Sequence, residues 1–169
     1  MFARYLASQG GSTAIEFALI SIPFVALLFA IFESALMFFM GDVLSTATSD
    51  AARLIRTGEA KASGMSAAQF KDTVCAGMYN LVDCQGHLYV DVQAYTSFNT
   101  YTPTSPVDSH GNIAATHFTA GEANQIVVVR SFYDWPIYFD FLAASTSGLT
   151  DGRVLIGSVV AFRTEPFPW

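Results

Sequence analysis

Gly11-Ser12-Thr13-Ala14-Ile15-Glu16-Phe17 opens an apolar run that reaches Met40. Glu16 stands at its head, and no charge follows between Phe17 and Phe32. Phe17 to Met40 is roughly 36 Å as a helix, enough to span a hydrocarbon core of about 30 Å with some tilt. A cleaved secretory signal would have a shorter apolar region followed by a small-x-small site. A glycine step, a lone acid five residues on and a membrane-length helix together read as a processing and assembly signal.

Residues 1–11 form a leader with one charge, Arg4, ending in Ser8, Gln9, Gly10 and Gly11. Arg4 before the span and Asp42 and Asp50 after it favour an inside amino terminus and an outside carboxy-terminal domain. Arg53 and Arg56 pull the other way. A charge in the bilayer costs on the order of 3 kcal/mol, so the acids call for a role. If the chain is cut between Gly11 and Ser12, Ser12 carries a new amino terminus and Glu16 becomes the fifth mature residue. The ammonium and carboxylate can then pair within one subunit or between two, each offsetting the other's desolvation. The plainer alternative is an interfacial glutamate. Glu33 follows roughly 25 Å further along the helix, either at the outer interface or against a protein neighbour. Pro23 removes an amide donor and crowds the carbonyl of Leu19, so a kink is expected there unless neighbours absorb it.

Beyond Gly41 the stripe Leu44, Ala47, Ala51, Leu54, Ile55 continues the helix to about Thr57, with Gly58 as its stop. Ser66-x-x-Gln69 is a capping box for a second helix, Ala67 to about Tyr79. Three strands follow: His87 to Thr96, Gln125 to Trp135 and Val154 to Arg163. Gly157 in the last marks a bulge or a close approach. They are spaced for a small antiparallel sheet packed on the long helix. The fold class is α+β, a transmembrane helix continuing into a small antiparallel β-sheet head. Its parts are a leader (1–11), a transmembrane helix (12–41) and a pilin-like head (42–169). The stretch Ser97 to Glu122 reads as a long surface loop, and Ile137 to Ala144 as an apolar piece under the sheet. Trp169 at the terminus docks on a groove or packs in the core.

Cys75 and Cys84 are the two cysteines. Outside the cytoplasm they pair, stabilising the fold by about 2–3 kcal/mol on the chain-entropy model. The alternative is two core thiols. A net charge of −6 opposes a nucleic-acid partner, which needs a clustered basic face. P-loop, GxGxxG, HExxH and GxSxG motifs are absent, and His87, His110 and His117 lack metal-site spacing. No cofactor or metal is expected, and the chain does not read as an enzyme. An exported hydrolase with an unusual anchor is the remaining enzymatic alternative.

The glycine-to-Leu19 segment with Pro23 and Ile31-Phe32-Glu33 resembles the TadE-like family of minor pseudopilins, from the tight-adherence (Tad, or Flp) pilus system. The resemblance extends to Asp50-Ala51-Ala52-Arg53, Cys75, Asp83-Cys84, Val90-Asp91-Val92, Val127-Val128-Val129-Arg130, Trp135-Pro136 and Arg163-Thr164-Glu165-Pro166-Phe167. Many Tad-type pilin signals place Glu-Tyr after the glycine step; Glu16-Phe17 follows the TadE-like usage. The resemblance implies cleavage after Gly11 by a prepilin peptidase, with Glu16 serving processing and subunit alignment. It implies a single-pass bacterial inner-membrane protein with a periplasmic head, or a subunit incorporated into the extracellular pilus. Its partners would be other Tad pseudopilins and pilin, the peptidase and the inner-membrane platform of the machine. The alternative is an uncleaved, membrane-anchored periplasmic subunit of that machine.

Overall fold

The computed structural model describes residues 12–138, 149 and 151–167. The leader through Gly11, most of the apolar piece Ile137 to Ala144, and Trp169 lie outside the described residues. The chain divides into two compact units, Met1–Leu36 and Met37–Trp169. One helix, α1 (Ser12–Arg56), carries Pro23 within it.

In the first unit, the apolar side chains of α1 are exposed on every side, among them Ile15, Phe17, Ile20, Phe24, Leu28 and Phe32. Helices stable in water hide one apolar stripe and wet the opposite face. This stretch has no wet face, and it is long and apolar enough to cross a membrane.

In the second unit α1 becomes amphipathic. Met40, Leu44, Ala47, Ala51 and Ile55 are buried in one cluster with Phe70, Val74, Leu88, Val92, Val127 and Val129. Residues three and four apart fall on one helix face, which is why the stripe read from the sequence becomes the core face. Thr48 is fully buried on that stripe and donates its hydroxyl to Leu44 O at 2.7 Å. The helix stops because Gly58 takes a left-handed backbone, φ 82°. A single helical turn not foreseen from the sequence, α2 (Glu59–Ala62), follows at once. α3 (Ala67–Gly77) begins with the expected capping box, Ser66 accepting from Gln69 N–H while the Gln69 side chain accepts from Ser66 N–H. Gly77 lets α3 approach α1 closely, since a Cβ there would stand 2.9 Å from Cβ of Ala47.

The strands are β1 (Leu88–Tyr95), β2 (Ile126–Trp135) and β3 (Val154–Arg163), antiparallel in that order with β2 central. Leu88 pairs with Tyr133 and Val92 with Val129; Ile126 pairs with Arg163 and Phe132 with Gly157. Pairing runs unbroken through Gly157, so that glycine marks a close approach and no bulge. A Cβ there would meet the Phe132 ring at 3.2 Å. The disulfide Cys75–Cys84 ties α3 to the chain entering β1.

The last described residues close the end of α1. Glu165 N–H donates to Arg56 O at 2.9 Å, satisfying one of the carbonyls a helix end leaves open. Phe167 is buried, and Thr164 Oγ1 donates to Glu122 O at 2.6 Å.

Candidate functional site

Of the residues singled out from the sequence, Ser12, Glu16, Phe17, Pro23 and Glu33 stand along α1. Ser12 is its first residue and Glu16 lies just beyond its first turn, exposed among exposed apolar side chains. A carboxylate so near a helix amino end meets the positive end of the helix dipole. Glu33 differs. It is buried at 3% exposure, while its neighbours Ile31 and Phe32 are more than half exposed. The two serines of this stretch keep their hydroxyls within the helix: Ser21 donates to Ala18 O at 3.1 Å and Ser34 to Ala30 O at 2.9 Å. The structure thus offers a bare apolar rod bearing one exposed carboxylate near its beginning.

The family model for TadE-like protein matches residues 11–53. This segment is TadE-like. The match starts at Gly11, includes Glu16, Pro23 and Glu33, and runs into the stripe that α1 buries in the second unit. The TadE-like match implies a Tad pilus-related protein, and proteins of that family are structural rather than catalytic. The apolar helix of the TadE-like segment points to membrane anchoring. No curated protein and no solved structure matches the chain.

Beyond the TadE-like segment, the head holds two charged clusters that the sequence reading did not assemble. In the first, Asp91 on β1 is 3% exposed. It accepts from Arg130 Nε at 3.0 Å and Nη2 at 2.7 Å, from His117 N–H at 2.8 Å and from the Gln93 amide. Arg130 also donates to Thr104 O and Thr104 Oγ1. Burial pushes the Asp91 pKa up, but the hydrogen bonds from Arg130 and His117 N–H, with the Arg130 charge and Gln93, outweigh it and leave the carboxyl below its usual value. The surface loop after β1 is thus pinned to the sheet by Asp91 and Arg130. Its residues His117 and Thr119 also bond to Val92 along the β1 edge.

In the second cluster, His87 Nδ1 lies 2.6 Å from Asp134 Oδ1 and 2.8 Å from Arg153 Nη1, while Arg153 Nε reaches Asp151 at 3.2 Å. One ring nitrogen serves one of these neighbours at a time: protonated, it donates to the carboxylate; unprotonated, it accepts from the guanidinium. A cleft of about 580 Å³ beside it is lined by Tyr89, Asn112, Ile113, Asp134 and Asp151. Among the described residues no group of three His, Cys, Asp or Glu side chains is placed to hold a metal ion. The signal that would have found both clusters is a charge inside an otherwise apolar strand: Asp91 lies between Val90 and Val92, Arg130 follows three valines, and Asp134 lies between Tyr133 and Trp135.

Proposed function

We propose that the chain is a minor pseudopilin of a Tad-type pilus, acting in pilus assembly and initiation with other pseudopilins. It is made as a precursor with leader 1–11 and inserts with its amino terminus inside. A prepilin peptidase cuts it after Gly11, and residues 12–41 hold it in the inner membrane. The head, residues 42–169, lies in the periplasm or travels into the filament. The observation that carries this reading is the coincidence of the TadE-like match over residues 11–53 with a helix whose apolar residues from Ile15 to Phe32 stand exposed among the described residues. Such a helix needs lipid before assembly and neighbouring helices after it. Glu16, fifth after the cut, meets the Ser12 ammonium of its own or an adjacent subunit and sets the register of packing.

Intact-mass measurement of the protein from membranes, with and without an active prepilin peptidase, tests the reading. The mature chain is expected to start at Ser12 only when the peptidase is active. A start at Met1 in peptidase-competent cells sinks it and leaves the uncleaved anchored subunit.

A further inference from the structure

β3 is an edge strand, and the ladder fixes which of its groups face outward. Thr164 N–H donates to Gln125 O at 2.9 Å, just beyond the Ile126–Arg163 pair. Hydrogen-bonded pairs alternate along an antiparallel ladder, so the even-numbered residues of β3 turn their N–H and C=O groups toward β2. Leu155, Gly157, Val159, Ala161 and Arg163 turn theirs away. Among the described residues none of those outward backbone groups is bonded. The opposite edge is treated differently: at Val92 the loop supplies His117 O and Thr119 N–H. Edges are ordinarily protected by charge, proline or a bulge. Val154 to Phe162 contains no charge and no proline, and its register is unbroken. Val159 is 58% exposed.

We propose that this edge pairs antiparallel with the same edge of a second copy of the chain, with Val159 opposite Val159 on the two-fold axis. Outward-facing residues oppose outward-facing residues whenever the two-fold passes through a residue, and centring on Ser158 or Val160 would set Arg163 against Arg153 or Leu155 against Glu165. Centring on Val159 sets Leu155 across from Arg163 and Gly157 across from Ala161, using all five free positions. Centring on Gly157 would run Ala161 against Arg153, whose carbonyl already accepts from Leu149 N–H. Centring on Ala161 would run Gly157 against Glu165, whose N–H is held by Arg56 O and whose C=O accepts from Phe167. Charge agrees with the remaining register. It places Arg153 of one copy across from Glu165 of the other at both ends. Glu165 is half-exposed and 3.7 Å from Arg56, and Arg153, which already reaches Asp134 and Asp151, would take it as a further partner. A two-fold contact of this kind is self-complementary and closes at two subunits along this edge. The inference stands on the sheet alone, and a chain that kept its leader would still dimerise this way.

The test is Val159→Cys in the full chain in native membranes under mild oxidation. Both native cysteines are consumed in their own disulfide, so the new thiol is the reactive one. A disulfide-linked homodimer is expected. Ala161→Cys alone should give at least tenfold less, because in this register its two thiols stand about 13 Å apart. Val159→Pro removes an N–H that β2 does not use. It should abolish the dimer on sedimentation in detergent while leaving the melting temperature within a few degrees. The proposal is overturned if Val159→Cys stays monomeric though its thiol labels with maleimide. It is equally overturned if that thiol links to a different protein, or if Ala161→Cys links to itself as well as Val159→Cys does.

Discussion

The ring of Phe167 occupies the place a side chain on Gly58 would need: a Cβ there would stand 2.6 Å from Cδ1. Gly58 is also left-handed, φ 82°. The stop of α1 and the seating of the carboxy-terminal segment are thus one piece of packing. Gly58→Ala should lose about 2–4 kcal/mol, from a left-handed alanine and an overpacked ring together. Phe167→Leu in the same background should recover part of it. Thermal or urea unfolding of the head checks both; an unchanged midpoint for Gly58→Ala would contradict the packing described.

Asp91 gives the head an acid-side weakness. Its folded pKa lies below the unfolded value of about 3.9. Its stabilisation is therefore complete above that value and disappears as pH falls through the lower folded one. Asp91→Ala should cost about 3–5 kcal/mol at neutral pH, because it strands a largely buried Arg130. Asp91→Asn should flatten the acid limb of the stability curve. Urea midpoints measured from pH 5 down to pH 2 decide this, and parallel limbs for Asn and wild type would refute it.

Cys75 and Cys84 close a short loop between α3 and β1. Replacing both by serine should lower stability by about 2–3 kcal/mol. The loss should match that of reduced wild type under the same denaturant, since both remove the same constraint on the unfolded chain.

Glu16→Ala should separate two steps that the wild type performs in sequence. Leader removal and filament incorporation are followed independently, by mass and by subunit content of sheared pili. Incorporation is expected to fall at least tenfold, with Glu16→Gln close to Ala if the charge is what matters. Normal processing and normal incorporation together would remove Glu16 from its proposed role.

Much of this architecture is written in local patterns. The Leu44-to-Ile55 stripe, the Ser66–Gln69 box and the β-branched run Val154 to Arg163 each specify their element within a dozen residues, and each forms as read. Contacts far apart in sequence were not legible. Asp91 and Arg130 meet across 39 positions; Asp91 is the one charge of β1 and Arg130 shares β2 with Asp134, with no periodicity to announce which partner each takes. The same holds for Glu165 N–H on Arg56 O. Only the fold gives a reason for the carboxy-terminal Arg-Thr-Glu-Pro-Phe stretch, a helix end to close and a glycine to cover. The proposed processing residues were legible in the glycine step, the lone acid and the TadE-like pattern, whereas in the structure Glu16 is exposed as its neighbours are.

The hydroxyls of Ser21 and Ser34 are already spent on Ala18 and Ala30 of their own helix. A rod that settles such groups internally makes the same hydrogen bonds in lipid as against protein. Exchanging one surrounding for the other then breaks none of these, and the difference in free energy falls to side-chain packing and to its ionisable groups. Packing and charge, and not these hydroxyls, then decide between one surrounding and the other.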